Sequence, residues 1–176
     1  PSSSNARSFS YAAPTVVSVT APSAPTAGGT VVSITGTSFG STSGSATIGG
    51  RVCTLTSQSH TLIRCTLPAG QGLAQAVVVV VAGQTSNGDV GFAYDPPTLT
   101  GLAPASGGTQ GGEALVLTGT NFGANNGSLA IGGSPCAVQS QVHSQIVCTV
   151  PPGSGTRLVT VSLAGQTSNA LPYRYE

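Results

Sequence analysis

The side chains with the most distinctive chemistry in this sequence are four cysteines, which form two pairs. Cys53 and Cys65 lie twelve residues apart, and Cys136 and Cys148 have the same spacing. Each pair flanks a short predicted strand, a turn and a second predicted strand, so its members are cross-strand neighbours within disulfide reach. In the chain-entropy model, a bridge over such a loop contributes about 3 kcal/mol. Domains of about 80 residues bury little surface and gain from such bridges.

A metal site is the alternative use of these cysteines. His60 and His143 each lie between the two cysteines of a pair, so a Cys-His-Cys set occurs twice. Tetrahedral zinc takes four ligands, however, and the sequence offers no fourth one nearby. We therefore favour disulfides and interpret the two histidines as polar residues at hairpin tips. Disulfides in turn imply an oxidising, extracellular compartment.

The other titratable groups do not form a catalytic pattern. Active sites need several such groups placed together, and the spacing of the carboxylates suggests neither a carboxylate pair nor a Ser-His-Asp set. An Asn-Gly-Asp run at 87–89 is the nearest candidate for calcium, and we interpret it as a turn. The sequence therefore predicts a protein that is not an enzyme and has no cofactor. The four carboxylates are Asp89, Asp95, Glu113 and Glu176.

Covalent decoration is a further possibility. Asn126-Gly127-Ser128 is an N-glycosylation sequon on a predicted loop, so Asn126 is a candidate glycosylation site. Serine-rich stretches at 2–4 and 41–45 could carry O-linked sugars. Charged residues make up only 5% of the chain, and glycans would supply the hydration that charges otherwise give. The alternative is that Ser and Thr are ordinary surface residues of β-strands.

Charge and hydropathy exclude two classes of partner. The net charge is +1, and the five arginines are scattered, so binding to nucleic-acid phosphates lacks its main energy source. A bilayer-spanning segment needs about 18 consecutive apolar residues. The longest apolar run, at 76–82, has the length of a strand.

The sequence is an internal duplication. GTSFG at 36–40 returns as GTNFG at 119–123, and the cysteines, histidines and an IGG motif return with the same offset of 83 residues. AGQTSN at 82–87 returns at 164–169 with an offset of 82, so one loop is a residue shorter. Agreement at so many separate positions identifies two copies of one unit.

A third, partial copy is predicted at the start of the chain. SNARSFSY at 4–11 resembles SNGDVGFAY at 86–94 and SNALPYRY at 168–175, which close the two units. We therefore predict that residues 1–11 are the last strand of a preceding repeat, followed by a first repeat at 12–95 and a second repeat at 96–176. The alternative is a disordered extension. With Pro96 and Pro97 at the join, we expect two stiffly connected repeats.

The hydrophobic pattern predicts an all-β protein. Short runs rich in Val, Ile, Thr and Leu alternate with Gly, Pro, Ser and Asn, and helical periodicity is almost absent. Seven such runs per repeat indicate an antiparallel sandwich of immunoglobulin type. The run at 76–82 has no polar face, so we expect a central strand that is covered on both faces or abuts a neighbour.

The combined motifs resemble the IPT/TIG domain family. The first copy carries PTVVSVTAPSAPTAGGTVVSITGTSFG, IGGRVC, LIRCTLPAG and VVVVAGQTSN, and the second repeats the pattern from PTLTGLAP to YRY. The resemblance covers most of residues 14–176, and it implies an immunoglobulin-like sandwich. Members occur in plexin ectodomains, extracellular repeat proteins, carbohydrate-active enzymes and Rel-like transcription factors. They share no catalytic residues, so the resemblance implies fold and context rather than a reaction.

These observations favour a structural function. We expect a non-catalytic, disulfide-bridged segment of an extracellular tandem-repeat protein that forms a stalk, fibre or cell-surface filament. Its partners would be adjacent repeats or further copies of itself, with covalent glycans. In a variant, residues 1–11 add a strand to a neighbouring subunit. The alternatives are an adhesin or receptor ectodomain that binds a ligand, or an accessory domain of a larger extracellular enzyme.

Overall fold

A computed structural model describes residues 10–21 and 24–176 of the chain, and the described residues form β-strands and no helix. The strands of the first repeat are β1 (Thr15–Thr20), β2 (Val31–Thr37), β3 (Gly44–Ile48), β4 (Arg51–Gln58), β5 (Leu62–Thr66), β6 (Gln75–Val81), β7 (Gln84–Thr85) and β8 (Gly91–Phe92). Those of the second repeat are β9 (Thr98–Ala103), β10 (Ser106–Gly107), β11 (Ala114–Thr120), β12 (Ser128–Ile131), β13 (Ser134–Pro135), β14 (Ala137–Val142), β15 (Gln145–Thr149), β16 (Gly155–Leu163), β17 (Gln166–Thr167) and β18 (Leu171–Tyr175).

Both repeats have the predicted immunoglobulin-like architecture. In the second repeat, one sheet has the order β14-β15-β11-β9 and the other has the order β10-β18-β16-β12-β13. The first repeat has the same pairings, with β1-β2-β5-β4 on one side and β3-β6 with β7 and β8 on the other. The predicted strand at 1–11 falls mostly outside the described residues, and the two that are described, Ser10 and Tyr11, lie outside any strand.

Alternating side chains build a separate hydrophobic core in each repeat. Val32 and Ile34 of β2 are fully buried, as are Leu115 and Leu117 of β11, so alternate residues of each strand face the core. The apolar run of β6 differs from the expectation of a strand covered on both faces. Val77 and Val79 face the core, but the other face of the strand is only half-buried, so β6 is central in its sheet without being covered on both sides.

The repeated G-T-x-F-G motif is a close-packing device. Gly36 lies on β2 directly over the ring of Phe39, which is fully buried. A Cβ at this position would lie 2.0 Å from the Thr15 carbonyl oxygen and 2.4 Å from Cζ of Phe39. Because such contacts are impossible, glycine is required here. Gly119 and Phe122 have the same arrangement in the second repeat.

The repeated T-S-N motif closes each sandwich through side chains. The Asn87 amide accepts a hydrogen bond from Val16 N and donates one to Val16 O, as a paired strand residue would. Ser86 Oγ accepts from the backbone nitrogen of Val79. Asn169 pairs with Leu99 in the same way. Asn87 also donates to the Asp89 carboxylate, and the backbone bends at Gly88 between them.

Each disulfide lies where a strand passes from one sheet to the other. Cys53 is the last residue of β4 that pairs with β3, and the following residue pairs with β5. The Cys53–Cys65 bridge is therefore diagonal, because Cys65 lies directly opposite Leu55. In the second repeat this crossing interrupts the strand, and Cys136 separates β13 from β14.

The two repeats differ in one hydrogen-bonded polar pair, which joins a buried tyrosine to a half-buried glutamate. In the second repeat, the Tyr173 hydroxyl donates to Glu113 Oε1 at 2.7 Å. The hydrogen bond from Tyr173, together with backbone donors, lowers the pKa of Glu113. Burial and the bond to Glu113 raise the pKa of Tyr173 above its ordinary range. The equivalent positions of the first repeat hold Thr30 and Phe92, so the pair belongs to the second repeat alone.

The disulfides give a first prediction. Replacing Cys53 and Cys65 together by alanine lowers the free energy of unfolding of the first repeat by about 3 kcal/mol, because the unfolded chain regains the freedom of the closed loop. Urea titration followed by NMR signals of each repeat measures the change. The second repeat, with its own bridge intact, is the internal control. An unchanged midpoint for the first repeat contradicts the prediction.

The Glu113–Tyr173 pair predicts a difference in acid sensitivity between the repeats. A carboxylate with a lowered folded-state pKa stabilises the fold above its unfolded pKa, near 4.3, and this stabilisation is lost as the pH falls through the folded value. The second repeat should therefore lose stability between about pH 5 and pH 2 more steeply than the double variant Glu113→Thr, Tyr173→Phe, which carries the residues of the first repeat. Equal slopes in denaturation measured across this range argue against the pair.

Candidate interaction site at the repeat junction

The predicted site residues do not gather into a reactive centre. All four cysteines are in disulfides, Cys53 with Cys65 and Cys136 with Cys148, so their sulfurs are not available as metal ligands. Among residues 10–21 and 24–176, no three His, Cys, Asp or Glu side chains lie close enough to hold a metal ion. The same residues include no helix with the length and hydropathy of a membrane span.

The two histidines occupy equivalent hairpin tips in different surroundings. His60 lies between β4 and β5 and is exposed, whereas His143 lies between β14 and β15 and is half-buried. The difference arises because Nδ1 of His143 is 2.9 Å from Oγ1 of Thr26 in the first repeat. We call the contact region between the repeats the junction. It comprises residues 24–28, 71–72 and 94–97 of the first repeat and 121–126, 143 and 163–166 of the second.

Thr26 is the central residue of the junction and is only 1% exposed. Its amide donates to Oδ1 of Asn121 at 3.2 Å, and its hydroxyl accepts from the Gly123 amide at 3.3 Å. The same hydroxyl lies 2.9 Å from Nδ1 of His143, within hydrogen-bond distance. The Thr26 carbonyl accepts from Gly70, so every polar group of this buried residue is paired.

The first repeat positions Thr26 through a tight turn. The Gly28 amide donates to the Pro25 carbonyl at 2.9 Å, and Gly28 has φ of 76°. A Cβ on Gly28 would lie 2.6 Å from the Leu67 carbonyl oxygen, so both the backbone conformation and the close packing require glycine. The turn thus fixes Thr26 at the end of the sandwich that faces the second repeat.

The second repeat positions its side of the junction through the loop between β11 and β12. Asn121 has φ of 59°, in the left-handed region that asparagine tolerates better than most residues. The Phe122 amide donates to the His143 carbonyl at 3.0 Å, which ties this loop to the hairpin tip. The Gln141 side-chain amide donates to the carbonyls of Phe122 and Asn125. The donors and acceptors that meet Thr26 therefore come from a braced loop.

Three further hydrogen bonds cross the junction or bind its linker. Nε2 of Gln166 donates to the Tyr94 carbonyl at 2.8 Å, and Nε2 of Gln71 donates to the Asn125 carbonyl at 3.3 Å. The Asn121 amide also donates to the Pro96 carbonyl at 3.3 Å. Asn121 thus contacts both Thr26 and the linker, so the linker proline is held by the same side chain as the end of the sandwich.

Apolar packing accompanies these polar contacts. A Cβ on Gly72 would lie 2.7 Å from the Ala164 Cβ, so the backbone of the first repeat packs directly on this methyl group. Leu163 is 1% exposed although it belongs to neither hydrophobic core, and it lies against Gly123. The centre of the junction therefore buries both a polar residue, Thr26, and an apolar one, Leu163.

Tyr94 braces the end of the first repeat. Its hydroxyl donates to the Pro68 carbonyl at 2.9 Å, and its ring covers Gly70, where a Cβ would lie 2.4 Å from Cζ. Burial raises the pKa of Tyr94, and the nearby Arg51 guanidinium opposes this shift. Because Gln166 binds the carbonyl of the same residue, the segment that follows β8 at the end of the first repeat is linked directly to the second repeat.

Asn126, the predicted glycosylation site, lies beside the junction. It is exposed, with φ of 58°, and it lines a groove together with Arg51, Gln75 and Asn125. The equivalent position of the first repeat is Ser43, so the sequon has no counterpart there. A modification of Asn126 would therefore sit at the edge of the contact between the repeats.

The comparisons with known proteins agree with this architecture. The family model for the IPT/TIG domain matches residues 14–94 and 97–175, which together make up most of the sequence.

This chain belongs to the IPT/TIG domain family.

Solved structures show the same fold. The extracellular region of plexin A4 aligns with 93% of this chain and 18% of its own, with a TM-score of 0.50 and 21% identity. The surface glycan-binding protein PbSGBP-B from Prevotella bryantii aligns with 95% of this chain and 43% of its own, with a TM-score of 0.64 and 14% identity. The chain thus spans less than half the length of either relative, and identities this low show a common fold alone.

Sequence reasoning overlooked most of the residues that join the two IPT/TIG repeats. Thr26 and Asn121 appear as ordinary turn residues, and Gln166 is part of the repeated AGQTSN motif. The sequence did contain one signal. Thr26 and Thr109 are separated by the repeat offset of 83 residues, and each is followed two residues later by a Gly-Gly pair. Only the folded arrangement brings Thr26 to His143, 117 residues away.

Thr26→Val tests the junction. The variant keeps the shape of the side chain but leaves the Gly123 amide and Nδ1 of His143 without their partner, which costs about 1–3 kcal/mol in a buried site. We expect the two IPT/TIG repeats to reorient more freely, seen as separate alignment tensors in residual dipolar couplings. Thr109→Val, at the exposed equivalent position of the second repeat, is the matched control. Identical couplings for both variants would exclude the proposed role of Thr26.

Proposed function

We propose that this chain is a non-catalytic spacer segment of an extracellular tandem-repeat protein, which builds a stalk, fibre or surface filament. The observation that carries the proposal is the junction, where a fully paired and buried Thr26 joins the first repeat to the hairpin tip and loop of the second. A segment that transmits length and direction needs such a defined angle between its modules. A flexible linker would give neither.

The chemistry of the chain supports an extracellular location. Each repeat carries a disulfide that closes a separation of 12 residues, and such bridges persist in oxidising compartments. The IPT/TIG fold is also that of plexin A4 and PbSGBP-B, whose names describe an extracellular region and a surface protein. These points favour a secreted or cell-surface protein.

Glycosylation at Asn126 fits the same function. The side chain is exposed on the loop that braces the junction, and only 5% of residues are charged. A glycan at this point would hydrate a surface that has few charges to keep neighbouring chains apart. Mass spectrometry of the native protein, with Asn126→Gln as the control, shows whether the site is occupied.

A ligand-binding module is the second candidate, because PbSGBP-B carries this fold in a protein named for surface glycan binding. Binding faces depend on clustered, exposed aromatic side chains. In the described part of the chain, Tyr11 is the aromatic residue with a large exposed side chain, at 78%. One exposed ring offers a small platform, so we favour the spacer function.

The natural material tests the proposal directly. We expect extended filaments or stalks in electron micrographs, and a reduced, denatured polypeptide far heavier than the 17.1 kDa of this segment. Filaments that dissolve into 17 kDa chains would show assembly from subunits instead of one long array. Discrete particles with saturable, micromolar binding on a glycan array would overturn the spacer function in favour of the binding module.

A further inference from the structure

The first repeat carries a groove at the end that lies away from the second repeat. The equivalent surface of the second repeat is the one that contacts the first repeat at the junction. The groove encloses about 430 Å³ and is lined by residues that include Ser38, Gly40, Thr42, His60 and Gln84. Their counterparts in the second repeat are Asn121, Gly123, Asn125, His143 and Gln166. All five of these counterparts take part in the hydrogen bonds of the junction.

One hydrogen bond of the junction is already present in this groove. Nε2 of Gln84 donates to the Tyr11 carbonyl at 3.0 Å, and Nε2 of Gln166 donates to the Tyr94 carbonyl at 2.8 Å. Tyr11 and Tyr94 occupy the same place in their segments, each three residues before a Pro-Thr pair. The segment before the first repeat is therefore bound to that repeat by the same hydrogen bond that binds the end of the first repeat to the second.

The remaining residues of the groove have the same backbone conformation as their counterparts in the junction, but several of them are more exposed to solvent. Ser38 and Asn121 both have φ of 59°, and the Phe39 amide donates to the His60 carbonyl as Phe122 does to that of His143. His60 is exposed where His143 is half-buried, and Gly40 is half-buried where Gly123 is buried. Val81 is half-buried, whereas its counterpart Leu163 is 1% exposed.

We propose that this groove is the docking site for a preceding IPT/TIG repeat, held by the contacts that join the first repeat to the second. A threonine at the end of the incoming repeat, equivalent to Thr26, would accept from the Gly40 amide and donate to Nδ1 of His60. The Ser38 hydroxyl replaces the Asn121 carboxamide oxygen as the acceptor for the threonine amide. The Thr42 carbonyl replaces that of Asn125. This inference rests on the proposed spacer function and names the surface through which the array continues.

The occupant is a repeat that precedes Tyr11 in the same polypeptide, rather than a second copy of the chain. The end of the second repeat that could dock from another molecule closes with Tyr175, the counterpart of Tyr94. To reproduce the junction, its carbonyl would have to take the place that the Tyr11 carbonyl already holds against Nε2 of Gln84. A docking repeat whose own last tyrosine is Tyr11 satisfies that bond without competition.

A chain with residues 12–94 duplicated tests this inference. The chain runs through 1–94 and then 12–176, so that Tyr94 of the outer copy takes the place of Tyr11 before the inner copy. We expect the inner Gly40 amide to exchange with solvent about tenfold more slowly than in the parent chain, approaching the rate of Gly123. The ring signals of the inner His60 should move toward those of His143. The outer Gly40 and His60, still at a free end, are controls within the same molecule.

Variants of this three-repeat chain separate the possible results. Thr26→Val in the outer copy should return the inner Gly40 to its parent exchange rate, while Thr26→Val in the inner copy should affect Gly123 instead. An added repeat that folds but leaves the inner Gly40 and His60 unchanged overturns the inference, and the spacer function of the existing junction is untouched. Independent motion of the repeats across the Thr26–His143 contact in the parent chain would instead refute the spacer function.

Discussion

The hairpin that carries His143 depends on the disulfide at its base. Cys136 lies where the strand leaves one sheet and joins the other, and its bond to Cys148 fixes β14 against β15 at that crossing. The register of the hairpin then determines which residue reaches the tip. A slip by one residue would turn every side chain to the other face. The bridge thus stabilises a small core and also delivers one imidazole to the neighbouring repeat.

Local pattern was sufficient to predict the longer strands, whereas the two-residue strands β7, β10, β13 and β17 were missed because so short a pairing leaves no pattern. The offsets of 83 and 82 residues identified two units, and the alternation along β2 and β11 is that of strands with one buried face. The junction could not be predicted in this way. Its hydrogen bonds join residues as far apart as 117 positions, and periodicity within a strand carries no information about such pairs. That the outer face of β6 is only half-buried was missed for a related reason, since an all-valine run looks the same whether one face or both are covered.

Comparison of the two repeats distinguishes residues that the sandwich fold requires from residues that depend on the contacts at each end of a repeat. Gly36 and Gly119 are identical because any side chain would strike the strand opposite and the phenylalanine below. Some positions at the ends vary, as Ser38 and Asn121 do while keeping the same backbone conformation, although the histidine, the glycine and the glutamine there recur in both repeats. The Glu113–Tyr173 pair likewise replaces Thr30 and Phe92 without altering the pairing of the strands. The sandwich is therefore a constant frame, and the residues at its two ends adapt to their particular neighbours.

The hydrogen bonds of the junction are strong enough to orient two repeats of one chain, but too weak to hold two separate molecules together. Each of its hydrogen bonds contributes only about 0.5–1.5 kcal/mol net, because water competes for the same groups in the separated state. A few such bonds do not offset the entropy lost when two independent molecules associate. Between repeats joined through Pro96 and Pro97, however, the partners are already at a millimolar or higher effective concentration. The same contacts then suffice to hold one orientation, so covalent continuity, rather than affinity, is what allows a polar junction of this kind to fix the angle between two repeats.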